Sequence, residues 1–172
     1  MRITCEEAVS EVIGVMLMIS VTLVIVGLVA VYATGAASGD EQPIRASLLA
    51  SEVAQGGDGG YQVVFEHMAG DPFTLDQLEV SLGIRDDLAQ HIVVRNDPGK
   101  PQYLQSYAEN GKDVLLGDRF VLCDDGDGSK KELSWQGDGG AFTVEEGHYL
   151  TYRFIDRRTG APVSSGEIAV EM

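Results

Sequence analysis

Between Val12 and Gly39 the chain carries no charged residue. Val12–Ala33 (VIGVMLMISVTLVIVGLVAVYA) is almost wholly apolar, with no polar face at helical spacing. A helix that is apolar all round belongs in lipid or inside a bundle of other helices. Twenty-two residues rise about 33 Å as a helix, against a bilayer core of about 30 Å. The run is rich in Val and Ile, poor helix formers in water. In a membrane the backbone must satisfy its own hydrogen bonds, so a single span is helical.

After Ala33 the pattern changes. Gly35–Gln42 with Pro43 is a small, polar linker and helix stop. Beyond it, turn signals recur about every 8–14 residues and period-two alternation replaces the apolar run. Tyr61–Glu66 (YQVVFE) follows the loop GGDGG and is strongly β-forming. Leu78-Glu79-Val80-Ser81-Leu82 alternates as a half-buried strand does, and His148–Asp156 puts Leu150, Tyr152 and Phe154 on one face. His91–Arg95, Arg119–Cys123, Glu132–Trp135 and Glu167–Val170 are further strands. Arg45–Val53 is ambiguous, and Asn96–Pro101 and Thr159-Gly160 are turns. Seven to nine short strands predict an antiparallel sandwich, making the chain α+β: one long apolar helix, then a β-rich domain.

Charge sharpens this division. The 172 residues carry a net charge of −15. Residues 1–39 hold one base, Arg2, and three acids; residues 40–172 hold eleven bases and twenty-four acids, a net of −13. The acidity therefore sits on the β body, where it signals exposure, and it excludes a nucleic-acid partner, which needs a basic footprint. Two cysteines exclude a disulfide framework. Cys123 ends an apolar run and reads as a buried, inert thiol.

Three readings compete for the apolar head. A secretory signal would have a basic start and an apolar core of about 7–15 residues. Here the start is acidic and the run too long, though Ala33–Ser38 offers small residues and a cut near Ala37. A plain single-pass anchor fits the length. The third is a short leader removed ahead of a helix that stays. Glu11, directly before Val12, bears on the last two. At the membrane surface its carboxylate costs little; deeper, it needs a partner, such as a new α-amino group on a neighbouring chain. Ser10 and Gly14, four apart, are small residues at a spacing that lets helices approach.

The residues Ala8-Val9-Ser10-Glu11-Val12-Ile13-Gly14 (AVSEVIG) closely resemble the N-terminal signature of archaeal type IV pilins and pilin-like proteins. Looser matches follow in His67-Met68-Ala69-Gly70-Asp71 with Leu75–Val80, in Gly117–Phe120, and in Phe154–Asp156 with Thr159-Gly160. The resemblance implies a leader (residues 1–6), a retained helix (7–38), a linker (39–45) and an outer β domain (46–172). It implies processing by a prepilin peptidase around Glu6, Glu7 and Ala8, with cuts after Glu6, Glu7 or Ala8 all open. Val9, Ser10, Glu11, Val12, Ile13 and Gly14 would carry assembly. Partners would be copies of the chain or other pilin-like subunits, the pilus assembly machinery and the lipid bilayer. The β domain would lie outside the membrane, reaching the cell surface in a filament after processing. The leader departs from the family pattern, since Arg2 is its only base. The alternative is a membrane-anchored β domain that binds at the envelope without polymerising.

The chain carries no G-x-S-x-G, H-E-x-x-H, C-x-x-C or phosphate-binding loop. We therefore expect no enzyme and no cofactor; a secreted hydrolase lacks its catalytic residues. His67, His91 and His148 are scattered at strand ends, with His67 and Asp71 as a turn-stabilising pair. Asp124, Asp125 and Asp127 are the candidate metal ligands, in the loop Asp124–Ser129. Counted from Asp125, positions five and six are Ser129 and Lys130, so the calcium-loop pattern fails and the loop reads as a solvated hairpin. Neither Asn96 nor Asn110 is a standard N-glycosylation acceptor.

Overall fold

The computed structural model describes residues 5–37, 42–57, 59–107, 111–126, 128–137 and 140–172, with the side chains at 5–11, 34–37 and 88 excepted. The chain divides into two compact units, Met1–Glu41 and Gln42–Met172.

The first unit contains one helix, α1 (Cys5–Ala37). Every residue from Val12 to Ala33 is exposed along it.

The second unit is built of strands. In chain order the described residues form β1 (Ala46–Gln55), β2 (Tyr61–Gly70), β3 (Phe73–Thr74), β4 (Leu78–Ile84), β5 (Asp87–Arg95) and β6 (Leu104–Ser106). There follow β7 (Asp113–Val114), β8 (Arg119–Cys123), β9 (Glu132–Gly137), β10 (Gly140–Glu145), β11 (Tyr149–Asp156) and β12 (Pro162–Ala169). One four-stranded sheet has the order β1-β2-β8-β6 and the other β12-β11-β4-β5. Two short pairs, β3 with β7 and β9 with β10, complete the unit, and all pairings are antiparallel.

The core lies between the two large sheets. Phe65 of β2 stacks on Phe120 of β8 at 5.4 Å and meets Tyr152 and Phe154 of β11 edge-on at 5.0 and 4.9 Å. Edge-to-face rings at such distances add to the area they bury. Leu150, Tyr152 and Phe154 are all buried, as the alternation in β11 predicts, and so are Leu78, Val80 and Leu82 of β4. The α+β class, one apolar helix followed by antiparallel sheets, is what the sequence predicts.

The strand count is higher than the seven to nine expected. The pairs Phe73–Thr74 and Asp113–Val114 and the three-residue β6 are too short to show a period. In β10 only Phe142 and Val144 are buried, after a glycine-rich approach that reads as loop. The ambiguous Arg45–Val53 is an edge strand whose register shifts twice, between Ser47 and Leu48 and between Ala50 and Glu52. Each shift breaks the period-two alternation.

The sandwich edges are closed by side chains. Ser164 of β12 accepts from Leu48 N and donates to Leu48 O (3.2 and 3.0 Å), and Tyr152 Oη accepts from Ala50 N (3.1 Å). On the opposite side the buried Asn96 amide donates to Leu104 O and accepts from Leu104 N, at 2.7 and 2.9 Å. That side chain imitates a strand partner for β6.

The chain enters the domain at Ile44–Ala46. Ala46 pairs with Gly70, Asp71 N donates to Arg45 O (2.8 Å), and Ile44 N donates to Asp156 Oδ2 (3.2 Å). Gly70 has φ +114°, and a Cβ there would collide with the Arg45 carbonyl. Only glycine fits this crossing.

Candidate functional site

The helix is long, apolar and exposed from Val12 to Ala33. Its two central hydroxyls are satisfied locally: Ser20 Oγ donates to Met16 O (2.7 Å) and Thr22 Oγ1 to Ile19 O (2.9 Å). With both hydroxyls turned back on the helix, the middle of Val12–Ala33 presents an apolar surface to lipid or a neighbour. It is the one helix among the described residues long and apolar enough to cross a membrane. Val12, Ile13 and Gly14 are exposed, and a Cβ at Gly14 would meet nothing within 4 Å. Glu6, Glu7, Ala8, Val9, Ser10 and Glu11 occupy the first turns by backbone; their side chains lie outside the described residues, as does the leader segment Met1–Thr4.

The acidic loop is used internally. Asp124 Oδ1 accepts from Tyr61 N (2.9 Å) and its burial pushes the carboxyl upward, against backbone hydrogen bonds from Tyr61, Ser134 and Gly126 that lower it. Asp125 Oδ2 accepts from Gln136 N (2.8 Å) and lies 2.9 Å from the Tyr103 hydroxyl. These contacts knit the β8–β9 crossing. Asp127 lies outside the described residues. Among the described residues no group of three His, Cys, Asp or Glu side chains is placed to hold a metal. The loop is not a hairpin either, because β8 pairs with β2 and β6 while β9 pairs with β10.

The histidines also fall differently from expectation. His67 lies inside β2, fully buried, with its ring against Phe73 at 5.2 Å and Nε2 3.1 Å from Ala69 O. Its Nδ1 has no hydrogen-bond partner, and no bond joins it to Asp71. The strand runs four residues further than YQVVFE suggests, which carries His67 into the core. His91 and His148 are exposed, His91 within β5. Cys123 is half-buried rather than buried; its carbonyl accepts from Trp135 Nε1 (2.9 Å).

Two polar features were missed by sequence reasoning. Asp97 gathers Arg95 (2.9 Å), Arg157 (3.0 Å) and Lys100 (3.7 Å). The Arg95 hydrogen bond holds its carboxyl below the usual range, against a desolvation cost and with help from Arg157. Asp156 is fully buried and accepts from Ile44 N, Arg158 N and the Arg158 guanidinium. The only sequence signal was an acid ending an alternating strand beside two arginines.

Residues 7–48 match the family described as archaeal type IV pilin, N-terminal. Over these residues the head of this chain is similar to the N-terminal region of archaeal type IV pilins. The match takes in Val9–Gly14, all of Val12–Ala33 and the first residues of β1, and ends at Leu48. Beyond the pilin-like head, two solved structures show a distant likeness. One is the archaellum periplasmic stator protein FlaG from Sulfolobus acidocaldarius, at 10% identity and TM-score 0.41, over 72% of this chain and 99% of that one. The other is the archaellum periplasmic stator complex of FlaF and FlaG from the same organism, at 12% identity and TM-score 0.40, over 75% and 94%. Neither likeness is close enough to bear on function. No curated protein matches the sequence.

Proposed function

We propose that this pilin-like chain is a structural subunit, major or minor, of an archaeal type IV pilus-like surface filament used for adhesion or surface interaction. The observation that carries the reading is the family match over residues 7–48, which joins Glu11 to a helix exposed from Val12 to Ala33. The helix first holds the precursor in the membrane as a single span, with the acidic β domain outside. A prepilin peptidase removes the leader, between Glu6 and Glu7 in the arrangement we favour, which makes Glu11 the fifth residue of the mature chain.

The helix then exchanges lipid contacts for contacts with neighbouring helices. Both environments are apolar, so the exchange itself is nearly neutral, and packing and polar pairs decide it. Burying the Glu11 carboxylate costs several kcal/mol unless it is paired. The α-amino group freed by the peptidase on an adjacent subunit supplies that pair and fixes axial register. The acidity of the β domain keeps the exposed filament surface solvated.

The test is Glu11→Ala beside Glu11→Gln, with membrane fractionation and electron microscopy of the cell surface. The reading expects both variants in the membrane and filaments lost. Normal filaments in Glu11→Ala would overturn the role of Glu11. A wild-type chain that stays in the membrane without ever forming filaments would be an anchored envelope-binding domain instead.

A further inference from the structure

The β domain exposes a few large apolar side chains: Leu49, Met68, Val93, Tyr107 and Tyr149, and two in adjacent positions of the chain. In the turn between β7 and β8, Leu115 and Leu116 are 58% and 66% exposed. Two neighbouring leucines at the apex of a turn are an unusual expense for a soluble surface. The turn is built firmly: Asp118 N donates to Leu115 O (3.0 Å), Asp118 Oδ2 accepts from Leu115 N (2.9 Å), and Gly117, at φ +85°, donates to His67 O (2.9 Å). So Leu115 has both backbone groups satisfied, and the Asp118 carboxylate is turned back onto the turn.

The position of this apex matters more than its composition. His67 O holds Gly117, and three residues further along β2 Gly70 pairs with Ala46, where the chain enters the domain. The apolar turn thus stands at the end of the sandwich that the helix-bearing segment joins. The opposite end carries Gly56, Gly60 and Asp124, since Gln55 pairs with Tyr61 and Cys123 with Gln62. Nine peptide steps separate Ala33 from Gln42, a reach of at most about 30 Å. A tether of this length leaves that end of the domain within reach of the surface of a bilayer spanned by the helix.

We infer that Leu115 and Leu116 are a lipid-inserting foot, by which the β domain rests on the bilayer while the helix spans it. The inference builds on the reading of Val12–Ala33 as a membrane span. A lipid surface fits better than a second copy of the chain. The adjacent apolar surface here is two side chains, whereas a protein partner needs a broad complementary face of about 800 Å² on each side. Two domains of the same strong negative charge also repel each other, while apolar insertion among lipid headgroups asks for no countercharge. Satisfied backbone at Leu115 removes the main cost of entering a low-dielectric layer. The foot would hold the subunit at the membrane before assembly and release when the helix leaves the lipid.

The experiment uses the full chain reconstituted in vesicles of phosphatidylcholine, with and without bromine on the acyl chains. Three variants each add one tryptophan to the buried Trp135: Leu116→Trp at the foot, Lys130→Trp at the opposite end, and Leu23→Trp at the middle of the span. Expected is strong quenching by brominated lipid for Leu23→Trp and Leu116→Trp, several-fold above that of Lys130→Trp. Adding Leu115→Asp to Leu116→Trp should remove the quenching at the foot. Quenching at Leu23→Trp with Leu116→Trp no better than Lys130→Trp overturns the foot and leaves the span standing. Absence of quenching at Leu23→Trp overturns both.

Discussion

Asp156 Oδ2 accepts the backbone N–H of Ile44 across 112 residues of chain, at 3.2 Å. This buried carboxylate ties the segment leaving the helix to the turn after β11, where Oδ1 also accepts from Arg158 N (2.9 Å). Burial raises its pKa, but hydrogen bonds from Arg158, Ile44 and Thr159 and the Arg158 charge outweigh this and hold the carboxyl below the usual range.

A carboxyl whose folded pKa is depressed stabilises the fold above its unfolded pKa, about 3.9, and loses that contribution as pH falls toward the folded value. Denaturant unfolding of the detergent-solubilised full chain should therefore show an acid limb below about pH 4 that is flattened in Asp156→Ala. At neutral pH that variant should lose about 2–3 kcal/mol, because Ile44 and Arg158 keep their N–H groups without an acceptor.

Asn96 offers a second test of how the sandwich is closed. Its amide serves both backbone groups of Leu104 from within the core. Asn96→Ala should cost about 2–3 kcal/mol, and amide hydrogen exchange should rise first at β6. Exchange that rises evenly over both sheets would contradict an edge-closing role.

Tyr103 sets the alkaline limit. Burial, then the hydrogen bond to the Asp125 carboxylate, push its phenol from 10.0 to about 12. A group with a raised folded pKa contributes fully below its unfolded value and loses that contribution as pH rises through the folded one. Stability should decline between pH 10 and about 12, and the decline should be shallower in Tyr103→Phe.

How much of this was legible in the sequence depends on whether a feature is local. The helix and the strands with clean alternation, such as Leu78–Leu82 and Leu150–Phe154, were readable because burial on one face writes a period. β1 hid behind two register shifts, and β12 (Pro162–Ala169) hid its first half because Ser164 is polar. That serine is there to bond Leu48, a partner 116 residues away. The same holds for Asn96, Asp156 and the buried His67, whose roles are set by partners that no local pattern announces. The AVSEVIG motif was legible because its residues are contiguous. Leu115-Leu116 carries no local signal of its own; the pairing of β2 with β8 sets it at the end of the sandwich where Ala46 pairs with Gly70.

The central claim is that the leader is removed and the helix retained, and the intact mass of the protein purified from its native cells tests it most directly. The account predicts a chain lacking Met1–Glu6, beginning at Glu7 and still containing Val12–Ala33. A chain retaining Met1, or one beginning after Ala37, would contradict it.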